Sequence, residues 1–327
     1  MIDEIAHVRI TVLVDNHVDM LLTPGEGVQR FGLLDHFMPP HGEPICTENG
    51  IAYWIELRDG DTRHHVLFDT GLTAMVIAHN MRALGRTPDQ LEHAVISHGH
   101  PDHFGGLLGI LGARRAPLPV AIHPDAFLPK YFIDGDGEVV MRINRGLERD
   151  ALESAGALIV DSREPVRVGP GAIVTGQIPR SVAFEPPVPV RHGGPAGIFL
   201  ERDGILVDDD ATIDDQAVII NVAGKGLVVM TACGHAGVIN TIRHDQNITG
   251  VERVHAVMGG FHTGFPGVPQ ENARHTIDAL QEFAPEIVAP MHCSGLPTIA
   301  LAMEAFPGEF VHNVVGTTLV IGERKTA

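Results

Sequence analysis

The sequence has few aromatic residues, few cysteines and no long apolar run. Phe, Trp and Tyr make up 5% of its 327 residues, so Val, Ile, Leu and Ala must build most of the hydrophobic core. The three cysteines, Cys46, Cys233 and Cys293, do not form a disulfide framework, and a cytoplasmic, reducing setting is the simplest expectation. No segment approaches the ~20 apolar residues of a membrane span, and the acidic N-terminus does not resemble a secretory signal peptide.

Basic residues are also scarce relative to acidic ones. Lys and Arg number 23 against 41 Asp and Glu, which gives a formal net charge of −18 at pH 7. Phosphate backbones and anionic membranes attract basic surfaces, so we expect neither nucleic acid nor a membrane among the partners. A small anionic substrate is compatible with this charge, because bound metal ions reverse the field around them.

Histidine, in contrast, is abundant, with 20 residues, and it is concentrated in one motif. Residues 97–106 read Ser-His-Gly-His-Pro-Asp-His-Phe-Gly-Gly and follow an apolar run, which predicts a strand, a loop and a helix beginning near Asp102. Imidazole nitrogen and carboxylate oxygen are ligands that zinc prefers. His98 and His100 can share one ion, while Asp102 and His103 are displaced enough to face a second. A solvated histidine-rich loop is the alternative, but chance rarely produces this spacing.

Several further predicted strands end in a polar, ligand-type residue. Apolar runs at 66–68, 226–230, 254–258 and 286–289 are followed by Asp69, His235, His262 and His292, respectively. Strands and amphipathic helices alternate along the chain, with helices predicted at 73–84, 236–243, 273–283 and 297–306. This pattern predicts a layered α/β sandwich with a site along one edge of its sheets.

Three segments interrupt this pattern, at 20–47, 124–150 and 181–216. They are rich in Pro, Gly and turn residues, and we expect them to be surface insertions that cover the site. The acidic stretch within 208–215 is interpreted as a solvated turn. No shift in composition marks a boundary, so residues 1–327 are predicted to form a single domain.

The motifs together resemble the metallo-β-lactamase superfamily in order and spacing. The resemblance depends on Phe-Asp-Thr-Gly at 68–71, the histidine motif at 97–103, Gly-His at 234–235 and Met-His-Cys-Ser-Gly at 291–295. Segments at 14–16, 176–180, 233–237, 259–262 and 292–295 are similar to the subgroup typified by dihydropterin-ribofuranosyl-aminobenzene 5'-phosphate synthase. The resemblance implies a four-layer αββα sandwich, with two mixed sheets and helices on the outer faces.

The resemblance also implies a set of site residues. One metal ion would be held by His98, His100 and His235, and a second by Asp102, His103 and His292. Zinc is the default metal, with Mn2+ or Fe2+ as alternatives. Asp69 would orient the histidine loop, because ligating imidazoles usually need a partner for their other nitrogen.

One segment departs from the common pattern of the superfamily. Many members have an aspartate that bridges both metals where this chain has Gly259-Gly260-Phe261-His262, so the second ion is expected to bind more weakly. His262 could replace that ligand or face the substrate, and a satisfied core histidine is the alternative. Cys233 and Cys293 flank ligand histidines and are expected to be small packing residues.

The predicted activity is metal-dependent hydrolysis of a small phosphoester, lactone or ester. A metal-bound water has a pKa lowered toward ~7, and Asp102 can accept a hydrogen bond from that nucleophile. Arg180 is a candidate anchor for a substrate phosphate or carboxylate, and a surface ion pair is an equal alternative for it. Two other functions stay open: a synthase-like transferase of the subgroup named above, and a non-catalytic or redox metal-binding protein. A homo-oligomer is compatible with the sequence.

Overall fold

The computed structural model describes residues 2–187, 196–209, 212–265 and 268–322. The strands in these ranges are β1 (His7–Val14), β2 (Val28–Gln29), β3 (Ala52–Asp59), β4 (Thr62–Phe68), β5 (His93–Ile96), β6 (Leu118–Ile122), β7 (Lys130–Ile133), β8 (Val139–Arg142), β9 (Ala157–Asp161), β10 (Val166–Gly169), β11 (Ala172–Val174), β12 (Gly197–Arg202), β13 (Ile205–Asp208), β14 (Val218–Val222), β15 (Gly226–Met230), β16 (Val254–Gly259), β17 (Ile287–Pro290) and β18 (Thr318–Gly322). The helices are α1 (Leu33–Phe37), α2 (Ala74–Ala83), α3 (Pro101–Phe104), α4 (Leu107–Gly112), α5 (Arg149–Ser154), α6 (Val238–Thr249), α7 (Gln270–Glu282) and α8 (Gly295–Ala305).

The strands form two large mixed sheets. The first has the order β2-β18-β1-β3-β4-β5-β6-β9 and is parallel from β4 to β9. The second has the order β10-β11-β14-β15-β16-β17 and is parallel from β15 to β17. Parallel strands end at the same edge of a sheet, so the loops that follow β4 and β5 lie together, as do those that follow β15, β16 and β17.

Apolar side chains explain how the sheets and helices pack. One buried cluster contains residues of both large sheets, among them Ile10 and Phe68 of the first and Ile220 and Met230 of the second. A second cluster joins the first sheet to helices α2 and α4, and a third joins the second sheet to α6, α7 and α8. The mixed α/β architecture predicted from the sequence is therefore confirmed.

A third sheet, of four strands, was not predicted. Its order is β13-β12-β7-β8, so the segments expected as insertions at 124–150 and 181–216 meet as one antiparallel sheet. These strands are short, and Val139, Val140 and Ile205 are exposed, so the sequence shows no clear alternation of buried and exposed residues. The segment at 181–216 contains the strands β12 and β13, of which β13 is exposed throughout, and residues 188–195 lie outside the described ranges. The predicted loop at 20–47 contains the short elements β2 and α1.

The acidic stretch is also not a solvated turn. Asp209, Asp214 and Asp215 are buried, although Asp208 is exposed and Asp210 lies outside the described residues. The ammonium group of Lys130, itself buried, donates to the carboxylates of Asp209 and Asp214. The partner that allows this burial is distant along the chain, so a local charge pattern could not reveal it.

Among the helices of the described ranges, none has the length and apolar character that crossing a membrane requires.

Candidate metal centre

Three histidines from two different sheets form the first half of the site. His98 and His100 follow β5, and His235 follows β15. One nitrogen from each ring lies within 4.8 Å of the other two, and Nε2 of His98 is 3.0 Å from Nδ1 of His100. The rings of His98 and His235 meet edge to face, with centroids 4.7 Å apart. The histidines expected to share one ion are thus brought together.

Asp102, His103 and His292 form the second half. Asp102 and His103 lie on the single-turn helix α3, while His292 follows β17. The Asp102 carboxylate is 3.6 Å from Nε2 of His103 and 3.4 Å from Nε2 of His292. The two halves adjoin, because the ring centroids of His98 and His103 are 4.1 Å apart. Such an arrangement could hold two ions side by side.

The start of α3 is held tightly against the first sheet. The main-chain oxygen of His103 accepts a hydrogen bond of 2.6 Å from the Thr70 amide, and that of Asp102 accepts one of 3.2 Å from the Ile51 amide. A Cβ atom at Gly105 would lie 2.0 Å from the carbonyl oxygen of Leu72, so only glycine permits this approach. The glycine at the end of α3 thus lets this short helix pack closely against the loop that follows β4.

Asp69 lies beneath the histidine loop and fixes its geometry. Its Oδ1 accepts a hydrogen bond of 2.7 Å from the Ser97 amide, and its Oδ2 accepts one of 2.6 Å from Nδ1 of His103. Burial lowers the pKa of His103, but the carboxylates of Asp102 and Asp69 more than offset this and raise the pKa to about 9. Both ring nitrogens of His103 therefore carry a proton at neutral pH, and a cation bound at Nε2 would displace the proton there.

Asp15 and Asn16, at the end of β1, support His292 in the same way. Oδ1 of Asp15 accepts a hydrogen bond of 3.1 Å from the His292 amide. Nδ1 of His292 is 3.2 Å from Oδ1 of Asn16, which can accept its proton and leave Nε2 free for a cation. The backbone of His292, like that of Asp69 and His262, has a positive φ, at +52°, +57° and +49°, respectively. Strained backbone of this kind is concentrated at functional sites.

Unpartnered nitrogen atoms test whether a metal fits these residues. Nε2 of His100, His235 and His292 is buried and has no hydrogen-bond partner within the described part of the chain. Burial and the neighbouring imidazoles lower the pKa of His98 and His235, so these rings are neutral and keep a lone pair. Buried polar atoms without partners are costly, and divalent cations would satisfy them. The residues present therefore fit a metal centre.

His262 lies at this centre, and Arg180 contacts the loop that carries His235. The His262 ring is buried, its Nδ1 has no partner, and its centroid is 3.9 Å from that of His235. Arg180 donates from Nη1 to the main-chain oxygen of His235 and lines a groove with Gln177 and Asp215. At least one arm of the guanidinium therefore holds the loop that carries His235. Burial raises the pKa of Asp215 to about 7, and the charge of Arg180 works against this rise.

Sequence reasoning gave little weight to several side chains that organise the site. Asp214 accepts a hydrogen bond of 2.7 Å from the Gly99 amide, between His98 and His100. Ser97 bonds both Asp69 and His98, with its hydroxyl 2.7 Å and 2.9 Å from them. Cys233 places its Sγ 3.3 Å from Nε2 of His103. Their positions in the sequence could have identified Ser97 and Cys233 as candidates, because each follows a buried strand, as Asp69 does.

Comparison with known proteins agrees with this geometry. A family model described as the metallo-beta-lactamase superfamily matches residues 48–292. A 7,8-dihydropterin-6-methyl-4-(beta-D-ribofuranosyl)-aminobenzene-5'-phosphate synthase of Methanocaldococcus jannaschii is 28% identical over 274 residues, which are 83% of this chain and 89% of that protein.

Two solved structures share the fold. Tm1679, described as a metal-dependent hydrolase of the beta-lactamase superfamily, has a TM-score of 0.69 at 23% identity, over 97% of this chain and 100% of that one. Zinc-bound PqqB of Methylobacterium extorquens has a TM-score of 0.50 at 12% identity, over 95% of this chain and 99% of that one. As its histidine motif predicts, the chain belongs to the metallo-β-lactamase superfamily.

Proposed function

We propose that this protein is a metal-dependent hydrolase that acts on a small phosphoester, lactone or ester. The observation that supports this most strongly is the convergence of six ligand-type side chains in two adjoining groups, with buried ring nitrogens that lack partners. Two zinc ions would suit the two groups, with Mn2+ or Fe2+ as alternatives. The proposal extends to the αββα layer order, which the three apolar clusters support.

Each group of residues has a distinct part in the proposed reaction. His98, His100 and His235 would hold one ion, and Asp102, His103 and His292 the other. Such ions lower the pKa of bound water and polarise the bond under attack. Asp69 and Asn16 hold the Nδ1 protons of His103 and His292, which directs the opposite ring nitrogens to the centre. The Asp102 side chain is 32% exposed and can accept a hydrogen bond from an attacking nucleophile.

Chelation and metal analysis test this proposal. Metal content would be measured on the purified protein, and turnover on a panel of phosphodiesters, lactones and aryl esters before chelation, after it and after metal is restored. We expect turnover to follow metal content. Full turnover by the chelated protein would refute a metal-dependent activity of any kind. Bound metal without turnover on any substrate would favour a non-catalytic or redox role.

A second candidate is a synthase like the relative from M. jannaschii. The observation that favours it is 28% identity spread over 83% of the chain, rather than confined to the histidine motif. The test is an assay for the product in that relative's name, starting from an aminobenzene ribofuranosyl phosphate and a dihydropterin with an activated 6-methyl group. Metal-dependent formation of that product, with no hydrolysis of the panel, would favour the synthase over the hydrolase.

Arg180 is proposed to anchor an anionic group of the substrate in either reaction. Its groove adjoins His235, and its guanidinium suits phosphate or carboxylate oxygens. We expect Arg180→Ala to raise KM more than it lowers kcat, and Arg180→Lys to recover part of the loss. Metal content of both variants would be measured, because Arg180 also bonds the His235 carbonyl. Unaltered kinetics on every accepted substrate would rule out the anchor.

A further inference from the structure

Cys233 occupies the space between the two halves of the metal centre. It follows β15, two residues before His235, and its side chain is buried. Its Sγ lies within 4.8 Å of a ligand nitrogen of both His98 and His103. The same distance limit holds for a group formed with His235 and His262 and for another formed with His292 and Cys293. One sulfur atom thus adjoins imidazoles of both halves.

The backbone around Cys233 explains why no carboxylate stands there. A Cβ atom at Gly259 would lie 1.9 Å from the carbonyl oxygen of Thr231, and one at Gly260 would lie 2.4 Å from the carbonyl oxygen of Ala232. The end of β16 therefore approaches the loop after β15 too closely to carry a side chain at either position. The sulfur atom reaches the centre from the neighbouring strand instead.

The two buried cysteines are not equivalent in this arrangement. Sγ of Cys293 donates to the main-chain oxygen of Cys233 at 3.1 Å, so the Cys293 thiol already has a partner that steadies the Cys233 backbone. Sγ of Cys233 instead faces Nε2 of His103 at 3.3 Å, the nitrogen that Asp102 and His292 also surround. Cys233 is therefore the sulfur directed at the ligand atoms.

We propose that Cys233 is a thiolate ligand of the metal centre and supplies, between its two halves, the negative charge that a bridging carboxylate would otherwise give. Metal binding would form a sulfur–metal bond and release the thiol proton to solvent. Thiolate is a soft ligand, so the site would favour zinc over manganese. The inference rests on the proposed metal centre and replaces the expectation that Cys233 only fills space.

Cobalt substitution tests the inference without reference to activity. Wild-type protein and the variants Cys233→Ser, Cys293→Ser and Cys46→Ser would be stripped of metal and loaded with Co2+. Cobalt per chain, far-ultraviolet circular dichroism and the near-ultraviolet sulfur-to-cobalt charge-transfer band would be measured. Cys46→Ser is the matched control, because Cys46 bonds Asn80 away from the centre. We expect the band in the wild type, in Cys293→Ser and in Cys46→Ser, and we expect folded Cys233→Ser to lack it.

If the Cys233→Ser variant fails to fold, a second measurement, made on the wild type, replaces it. X-ray absorption of the zinc-loaded wild type should then detect a sulfur atom at about 2.3 Å from zinc. Cobalt bound with no charge-transfer band, or a band that persists in Cys233→Ser, would overturn the thiolate ligand and leave the metal centre intact. A wild type that binds no cobalt or zinc would overturn the metal centre, and this inference with it.

Discussion

The histidines at the two ends of strands β16 and β17 face different groups. At the amino ends, the Glu286 carboxylate lies 2.6 Å from the Arg253 guanidinium and 3.3 Å from the His255 ring, and its side chain is 46% exposed. The His255 ring is itself buried. At the carboxyl ends, the buried rings of His262 and His292 instead lie against other imidazoles, with centroids 3.9 Å from that of His235 and 5.2 Å from that of His103, respectively.

The difference shows which histidines are arranged for a metal. At the amino ends, the Glu286 carboxylate that His255 faces is already paired with Arg253, and partly exposed ion pairs of this kind contribute little to stability. At the carboxyl ends, several imidazoles converge around the Asp102 carboxylate, and divalent cations between them would satisfy the ring nitrogens that lack partners. The charge of the groups that a histidine faces is therefore better evidence for a metal site than the number of histidines in its segment.

The largest expected effect comes from removing one histidine of the metal centre and, for comparison, the histidine at the amino end of β16. We expect His98→Ala to lose bound metal and all metal-dependent turnover, because it removes a direct ligand of the centre. We expect His255→Ala to keep both, because its ring lies near an ion pair on the far edge. Metal content and turnover of the two variants would be compared. Equal metal content in the two variants would contradict the distinction between the histidines of the metal centre and the one beside Glu286.

Two lysines extend the comparison to stability. Lys130→Met would leave the buried carboxylates of Asp209 and Asp214 unpaired, so we expect a loss of about 3–5 kcal/mol in the free energy of unfolding. Lys225→Met removes an exposed partner of Glu286 and should cost no more than about 1 kcal/mol. Denaturant unfolding of the metal-free proteins measures both losses, and similar values would contradict the burial argument.

Replacing Asp69 tests a residue that positions a metal ligand and does not itself contact the metal. Asp69→Asn weakens the acceptor for Nδ1 of His103, so we expect metal affinity to fall about 10–100-fold while the fold is retained. Asp61→Asn, on an exposed turn, is the control. Competition with a chromophoric chelator gives the affinities. A value for Asp69→Asn equal to that of the control would remove Asp69 from the site.

The last prediction concerns the pH dependence of stability and a charge-paired carboxylate away from the metal centre. The hydrogen bond from His65 and the charges of Arg63 and Arg86 lower the pKa of Glu56 to about 2, against burial, which raises it. Because the pKa is lowered on folding, its stabilisation is present above the unfolded value of 4.5 and is lost as the pH falls through about 2. We expect Glu56→Gln to cost about 2 kcal/mol at pH 7. The gap between variant and wild type should close between these two pH values in denaturant titrations.

The sequence predicted the elements whose determinants are local. Periodic apolar residues located α2, whose bounds differ from the prediction by one residue at each end, and the structure adds that the Thr73 side chain caps its start. Asp or His residues that follow predicted strands located most of the site, because the loops that follow parallel strands lie together at one edge of a sheet. The third sheet was missed because its short strands are stabilised by partners far along the chain. Lys130 and Asp209 likewise become a pair only in three dimensions.

The same long-range pairing limits how the third sheet can change. Lys130 begins β7, Asp209 follows β13, and Asp214 bonds the Gly99 amide inside the histidine loop. One cation and two anions thus connect the third sheet to the histidine loop. Grafting this sheet onto a relative, or exchanging it to retune specificity, would have to transplant all three charges together. The insertion is therefore not an independent module, although its strands lie apart from both large sheets in the hydrogen-bonding pattern.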